Sequence, residues 1–234
     1  MTCLCEQIAG KDIDLSPTCI GNLWIFKNLD SSDIKALSRE ALRKRSAAGQ
    51  ALFMQGDPTD EMFLIKGGRV KLSKVLEDGT ELTLDIRKAG DFVGENMFSE
   101  EGQYPVSAYC LEDTFTCGFS RSQFEELVLQ HPKVGLQIIK NLSERITWLT
   151  RRVGNLAVTN IEDRLYCVLS SVAKEHGKRS PQGIMIQFPL THEDMSFLTG
   201  SHRVSITRAM KALKKAGKII HEGRRLILPM LKTA

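Results

Sequence analysis

The 234-residue sequence contains no run of about 18 apolar residues, which is the length that a membrane-spanning helix requires. Its first residues also lack the apolar core of a secretory signal peptide. Both absences argue against a protein that enters or crosses a membrane. We therefore expect a soluble, cytoplasmic protein that does not bind a membrane.

The sequence also lacks the residue patterns of an enzyme active site. It contains no nucleophile–base set, no spacing typical of metal ligands and no glycine-rich loop that would hold a phosphate group. The glycines of the N-terminal half fall at predicted turns instead. These absences favour a function other than catalysis.

Positive charge is concentrated in the C-terminal third. The chain has 32 Lys and Arg against 28 Asp and Glu, a net charge of +4. Residues 160–234 contain 13 basic and 6 acidic side chains and carry +7, so the remaining 19 basic and 22 acidic side chains carry −3. A basic module attached to a mildly acidic body predicts binding of a polyanion by that module.

Residues 188–220 are typical of two helices joined by a tight turn. Thr191 is the predicted N-cap of the first helix, and Gly200 ends it where a left-handed residue is often needed. The second helix is predicted from about His202 to Lys215, and one of its faces is short and basic, which suits docking in the DNA major groove. The candidate DNA-contacting residues are Ser201, His202, Arg203, Val204, Ser205, Thr207, Arg208 and Lys211.

A predicted hairpin follows the second helix. Residues 218–221 and 226–228 are the expected strands, and residues 222–224 form the turn between them. Arg224 and Arg225 lie near the tip, where they are candidates to contact phosphate. The helix pair and the hairpin together predict a winged helix-turn-helix. A solvated hairpin whose arginines only aid solubility is the alternative.

The N-terminal half is typical of many short antiparallel strands with turn signals between them. We predict strands at residues 51–54, 62–65, 70–75, 82–86, 92–94, 107–111 and 115–119. Glycine occurs at almost every corner, which favours a β-roll or jelly roll. A helix is predicted before it, from Ser31 to Arg43, capped by Ser31 or Ser32 and with Ile34, Leu37 and Leu42 inside.

A long helix with Pro132 in its first turn is predicted between these two parts. Its apolar residues recur at alternating spacings of three and four, so they form a narrow seam. This seam consists of Ile139, Leu142, Ile146, Leu149, Val153 and Leu156. A narrow seam predicts a coiled-coil-like homodimer, which would read two DNA half-sites about one turn apart. Packing of the helix on the β-roll alone is the alternative.

The order of β-roll, long helix and winged helix resembles the Crp/Fnr superfamily of transcription regulators. The resemblance runs from about Trp24 to Leu228 and rests on three motifs: QGDPTDEMFLIKGGRVKL (55–72), GDFVGENMFSEEGQYPVSA (90–108) and LTGSHRVSITRAMKALKKAGKI (198–219). It implies an α+β fold with an N-terminal double-stranded β-helix or jelly roll of the cyclic-nucleotide-binding type. The expected domains are an N-terminal cysteine-bearing segment (1–22), a sensory β-roll (23–130), a dimerisation helix (131–158) and a winged helix-turn-helix (159–234).

The resemblance also implies a function. The expected protein is a homodimeric DNA-binding regulator, an activator by analogy, with double-stranded DNA and RNA polymerase as partners. A small ligand or a redox signal sensed in the roll would reorient the DNA-binding domains about a hinge near residues 158–160. A nucleotide-sensing regulatory or scaffold module that does not act on DNA is the alternative.

The effector pocket implied by the resemblance departs from that of cyclic-nucleotide sensors. Gly94 and Glu95 match the pair that grips the ribose. The Arg-Ser pair that would hold the cyclic phosphate falls on Val106 and Ser107, or on Pro105 and Val106 if counted from Gly102, and neither placement supplies an arginine. Without that arginine the phosphate has no counter-charge, which argues against cyclic AMP. We expect Glu95 to accept hydrogen bonds from backbone amides instead. The full candidate pocket is Gly94, Glu95, Met97, Phe98, Tyr104, Val106 and Ser107, and roll core is the alternative role for these residues.

The six cysteines are Cys3, Cys5, Cys19, Cys110, Cys117 and Cys167. Resemblance to the oxygen-sensing branch of the family implies a 4Fe–4S cluster, with Cys117 in the roll and Cys3, Cys5 and Cys19 as its ligands. The spacing departs from that branch, because a single residue separates Cys3 from Cys5 and thirteen precede Cys19. A thiol–disulfide switch and inert core cysteines are the alternatives.

Two further resemblances concern specificity. Residues 177–213 resemble regulators of organohalide respiration, which bind halogenated phenols between the roll and the dimer helix. In the recognition helix, Val204 stands where most relatives have a glutamate that accepts from cytosine N4. Because valine can only pack on a thymine methyl group, we expect an A/T-rich half-site, such as TTAAT.

Overall fold

The computed structural model describes Leu23 and residues 30–186, 188, 190–222 and 225–229. The chain divides into two units, Met1–Arg145 and Ile146–Ala234. The first is rich in strands and the second in helices. None of the described helices is both long and apolar enough to cross a membrane.

Two four-stranded antiparallel sheets form the body of the first unit. One has the order β1-β8-β3-β6 and the other β2-β7-β4-β5. The strands are β1 (Leu42–Ser46), β2 (Ala51–Phe53), β3 (Glu61–Gly67), β4 (Arg69–Val75), β5 (Glu81–Lys88), β6 (Phe92–Val93), β7 (Ser107–Cys110) and β8 (Thr114–Ser120). A single turn of 3₁₀ helix (Glu95–Phe98) follows β6. This topology is the predicted β-roll.

Strand β3 is apolar on both faces because it separates two cores. Phe63 and Ile65 point into a cluster that the two sheets share, together with Val70 and Tyr104. Met62 and Leu64 point the other way, into a cluster that is completed by helices. A strand buried on both sides shows a continuous apolar run rather than an alternating pattern, as the sequence MFLI does here.

Three helices belong to or enter the first unit: α1 (Ser31–Glu40), α2 (Arg121–Gln130) and α3 (Pro132–Leu156). Helix α3 begins at Pro132, as predicted, and its Val134 and Ile138 are buried in the helical side of the roll core. Helix α2 was not predicted from the sequence. Its N-cap is Ser120, which forms a capping box with Gln123.

The first helix begins at Ser31, as predicted, but its cap and its C-terminal end differ from the prediction. Its cap is Asp30 rather than a serine, since the Asp30 carboxylate accepts from the backbone N–H groups of Ser32 and Asp33. The helix ends at Glu40, and Ala41 is extended. Leu42 therefore lies in strand β1, where it pairs with β8 and is 60% exposed instead of lying inside.

The second unit is a winged helix-turn-helix. It contains α4 (Ile161–His176), β9 (Lys178–Ser180), β10 (Gly183–Ile186), α5 (His192–Thr199), α6 (Arg203–Lys215), β11 (Ile220–Glu222) and β12 (Arg225–Pro229). Its sheet has the order β11-β12-β10-β9. Strand β11 begins two residues later than predicted because the Lys218 N–H donates to the carbonyl of Leu213 and closes the end of α6.

Candidate DNA-binding and effector sites

Helix α6 exposes its basic face and buries the opposite one. The predicted capping box of α5 is present between Thr191 and Asp194, and Gly200 ends α5 with a left-handed φ of 63°. The residues of α6 that are buried in the unit's core are Ile206, Ala209, Met210 and Leu213. The exposed residues of α6 are Arg203, Val204, Arg208, Lys211, Lys214 and Lys215. One face therefore anchors the helix, and the other is free to enter a DNA groove.

The turn before α6 is held by an arginine that sequence reasoning missed. Arg164 of α4 donates from Nη2 to the Ser201 hydroxyl at 2.7 Å and from Nη1 to the Val158 carbonyl at 3.0 Å. Ser201 is thus half-buried, while His202 is exposed and is an N-cap without a side-chain cap bond. No sequence signal connects Arg164 with Ser201, because 37 positions separate them.

Thr207 and His192 form a second contact that the sequence did not reveal. His192 Nδ1 of α5 lies 3.0 Å from the Thr207 hydroxyl oxygen of α6. The same hydroxyl donates to the Arg203 carbonyl at 3.1 Å. Partial burial lowers the pKa of His192, and the nearby His221 and Arg203 lower it further, so the imidazole is neutral at pH 7. Thr207 and Ser205 are both half-buried on this helix.

The wing carries one of its two predicted arginines within the described residues. Arg225 is exposed at the start of β12 and pairs with Glu222 in the hairpin register. Arg224 lies outside the described residues. Lys218, between α6 and β11, pairs with Asp163 of α4 at 3.4 Å.

Glu95 is paired with an arginine at the position expected for ribose recognition. Gly94 has a φ of 88°, and a Cβ there would lie 2.6 Å from the Glu61 carbonyl oxygen, so only glycine fits. Glu95 accepts from Arg87 Nη2 at 3.0 Å. The expectation that Glu95 accepts from backbone amides was therefore wrong, because a buried guanidinium takes its carboxylate.

Arg87 belongs to a buried ion cluster that reaches helix α3. Its Nε donates to Asp85 at 2.7 Å, and Arg145 of α3 donates to the same carboxylate at 2.7 Å. The side chains of Asp85, Arg87 and Arg145 are 5–8% exposed. Burial alone would lower the pKa of Arg87, but the carboxylates of Glu95, Asp85 and Asp91 raise it above its usual value. The Arg87 guanidinium therefore stays charged in this cluster.

The remaining residues of the predicted effector pocket are spread over both cores of the roll. Met97 lies in the helical core, while Tyr104 and Val106 lie in the core between the sheets. Tyr104 stacks on Phe53, and its hydroxyl donates to the Glu61 carbonyl. Phe98 is partly exposed, and the Ser107 hydroxyl accepts from the Gln55 N–H.

A surface cleft of about 600 Å³ lies elsewhere on the first unit. It is lined by Thr59, Asp60, Met97, Ser99, Gly102, Ser120, Arg121, Ser122 and Glu125. Met97 is the one residue of the predicted effector pocket in its lining. The predicted pocket residues therefore do not surround this cleft.

The described cysteines are thiols in different environments. Cys117 in β8 is 1% exposed within the helical core, and Cys110 is buried between the sheets, where burial raises its pKa. Cys167 is half-buried, and none of the three is in a disulfide. Cys3, Cys5 and Cys19 lie outside the described residues, and no group of three potential metal ligands occurs within them. A 4Fe–4S cluster stays a prediction.

Helix α3 carries an apolar stripe that the described residues of the chain leave exposed. Ile139, Ile146 and Val153 are 61–68% exposed, and Leu149 is also exposed. Leu142 is half-buried because it also packs on the helical core of the roll. Leu136, which is not part of the predicted seam, extends the stripe toward the start of the helix. The side chain of Leu156 lies outside the described residues.

Known proteins match both units. The model of the cyclic nucleotide-binding domain matches residues 43–131, and that of the Crp-like helix-turn-helix domain matches residues 163–232. The anaerobic regulatory protein of Bacillus subtilis (strain 168) is 29% identical over 204 residues, which cover 86% of this chain and 86% of that protein.

Solved structures share the fold. The c-di-GMP responsive global regulator CLP of Xanthomonas campestris has a TM-score of 0.73 at 23% identity and covers 86% of this chain and 100% of its own. A variant of CprK complexed with OCPA has a TM-score of 0.64 at 22% identity and covers 83% of this chain and 88% of its own.

The relatives are transcription regulators rather than enzymes, in agreement with the missing active-site patterns. The two domain models occur in the order that the motifs predicted, and the described strands and helices form both domains. The chain belongs to the Crp/Fnr superfamily of transcription regulators and combines a cyclic-nucleotide-binding-type β-roll with a DNA-binding helix-turn-helix domain.

Proposed function

We propose that the chain acts as a homodimer whose two α6 helices bind a palindromic, A/T-rich operator in response to a signal sensed in the β-roll. The observation that carries this proposal is the two-sided character of α6. Its apolar face is buried, and its exposed face carries Arg203, Arg208 and Lys211 around Val204. A rigid helix with exposed guanidinium groups suits base contacts in the major groove.

Val204 supports the A/T-rich preference. Its side chain is 64% exposed on α6 and has neither a hydrogen-bond donor nor an acceptor. Such a side chain cannot accept the N4 proton of cytosine, but it gains free energy by packing on the C5-methyl group of thymine. The half-site is then read by arginine hydrogen bonds beside an apolar contact.

The exposed stripe of α3 supports the homodimer. Apolar side chains that recur every three or four residues pack well against a second copy of the same helix, and a helix pair removes them from water. A two-fold dimer presents two recognition helices to half-sites about 34–36 Å apart on one face of DNA.

The ion cluster supports two parts of the proposal: the signal is not a cyclic nucleotide, and the signal reaches α3 through strand β5. Arg87 already neutralises Glu95, and Val106 stands where the phosphate-binding arginine is expected. The same cluster joins Asp85 of strand β5 to Arg145 of α3, the helix that bears the apolar stripe. A ligand that displaces this strand would act directly on α3. It can shift the equilibrium between two conformations of the chain only by the difference between its affinities for them.

Substitution of Arg208 tests the role of α6. Arg208→Ala is expected to weaken operator binding about 10- to 100-fold, the loss typical of one bidentate base contact. Lys174→Ala removes a charge from α4 of the same unit and is the matched control, with binding within about threefold of wild type if Lys174 makes no more than a screened contribution. Fluorescence anisotropy with a labelled operator measures both. Equal binding by wild type and Arg208→Ala would reject the proposed reading by α6.

A further inference from the structure

The hydroxyl group of Thr207 is engaged within the protein on both sides. It donates to the carbonyl of Arg203, four residues earlier on α6, and it lies 3.0 Å from Nδ1 of His192 on α5. A threonine hydroxyl has one proton and two lone pairs. Once the proton is given to the helix carbonyl, the contact with His192 is satisfied only if the imidazole donates from Nδ1.

The imidazole is suited to this donation. His192 is half-buried at the first position of α5, so its ring is held between the two helices of the helix-turn-helix. Its lowered pKa keeps the ring neutral at pH 7, and a neutral ring has a single N–H group. That group is used on Thr207. The Thr207 hydroxyl then has no proton left to offer to a DNA base.

We infer that His192 is a specificity-determining positioning residue, which turns Thr207 so that its methyl group, and not its hydroxyl proton, faces the DNA bases. This inference rests on the proposed binding of DNA by α6. Thr207 lies three residues after Val204, so the two side chains are neighbours on the helix surface. Together they form an apolar patch, defined by Val204 and Thr207, that reads the C5-methyl groups of thymines.

The patch distinguishes thymine from its methyl-free analogue. Uracil in DNA keeps the Watson–Crick pairing and the O4 acceptor of thymine and lacks only the C5-methyl group. Burying one methyl-sized group changes affinity about fourfold. The operator for this test is obtained by selecting bound sequences from random double-stranded DNA. Replacing the thymine that Thr207 contacts by deoxyuridine should then weaken wild-type binding by about fourfold, with no other change in the interface.

Two variants of Thr207 separate its methyl group from its hydroxyl. Thr207→Val keeps a methyl group at the same place and removes the hydroxyl, so it should retain both operator affinity and the deoxyuridine penalty. Thr207→Ser keeps the hydroxyl and removes the methyl group, so the penalty at that base pair should disappear. If Thr207 instead donates to a base, Thr207→Val loses binding and Thr207→Ser keeps it, which would overturn the inference.

Two variants of His192 test the positioning role. The side-chain N–H of asparagine lies near the place of Nδ1, so His192→Asn should keep the deoxyuridine penalty. His192→Ala leaves the Thr207 hydroxyl held only by the Arg203 carbonyl, so the side chain can turn more easily and the penalty should be smaller. Thermal unfolding identifies variants that fail to fold. If His192→Ala fails to fold, the comparison of Thr207→Val with Thr207→Ser decides the result. If the wild-type chain selects no sequence from random DNA, both the proposed sequence-specific binding by α6 and this inference are refuted. A selected operator without any deoxyuridine penalty would refute the inference alone.

Discussion

At the scale of single residues, the buried ion cluster of Asp85, Arg87, Glu95 and Arg145 distinguishes this β-roll from a plain apolar sandwich. Asp85 accepts from two guanidinium groups and also from its neighbour's backbone N–H at Ile86. Charges removed from water are tolerated here because each has a partner at hydrogen-bond distance. Loss of one charged partner leaves the buried cluster with an unbalanced charge.

Arg145→Ala is therefore expected to destabilise the first unit by about 3–5 kcal/mol, the cost typical of breaking a buried pair. Arg45→Ala is the control, because the Arg45–Asp113 pair is about half exposed and contributes no more than about 1 kcal/mol. Urea unfolding of the full chain, followed by circular dichroism, measures both free energies. Similar losses in the two variants would contradict a structural role for the cluster.

Val204 gives a second prediction at this scale. Val204→Glu introduces a carboxylate acceptor on the exposed face of α6, so the variant should favour a cytosine at the base pair that Val204 faces, by about tenfold or more over thymine. Competition binding with paired operators that differ at that base pair measures the ratio. Val204→Ile, which keeps an apolar side chain, should not change the preference; a strong G·C preference in the wild type would contradict the account.

The sequence predicted which residues of α6 are exposed, but not which residues hold them in place. Helical periodicity separated Ile206 from Arg208 because burial follows the 3.6-residue repeat. His192 and Thr207, or Asp85 and Arg145, meet only after distant segments have folded together, at separations of 15 and 60 residues. Periodicity carries no information about such contacts.

At the scale of elements, the strands of the roll were predictable where glycine turns bound apolar runs. Strand β1 was missed because its sequence LRKRS contains three basic residues and no alternation, and it forms by pairing with β8 at the edge of a sheet. Helices α2 and α4 were also not predicted, although each begins after a side-chain N-cap, Ser120 and Asn160; strand β1 has no such local signal. Elements without a sharp local signal depend on their tertiary partners.

The apolar stripe of α3 predicts the oligomeric state. Replacing Ile146 and Val153 together by glutamate places charges on a face that should pack against its own copy, so the double variant should be a monomer and bind the operator at least about tenfold more weakly. Substituting exposed Lys140 and Arg151 by glutamine is the control. Analytical ultracentrifugation measures the mass, and an unchanged mass in the glutamate variant would mean that the stripe is not the interface.

At the scale of the whole molecule, the basic part of the chain is the part with the DNA-binding domain, and the acidic part is the part with the β-roll. The basic third contains the helix-turn-helix, and the mildly acidic remainder contains the roll and α3. Phosphate-neutralising charge is thus concentrated in the unit that is proposed to contact DNA, which lowers nonproductive attraction of the roll to the same polyanion. The motifs in the sequence predicted this organisation, because each lies within a single domain.

The measurement that tests the central claim most directly is selection of binding sites from random double-stranded DNA by the full-length chain, followed by sequencing of the bound pool. The account predicts an A/T-rich inverted repeat whose half-site centres lie about 10–11 base pairs apart, the spacing of two recognition helices in a two-fold dimer. Enrichment of single, unpaired half-sites would contradict the homodimeric reading of DNA. A pool without any enriched sequence would contradict sequence-specific binding by this chain.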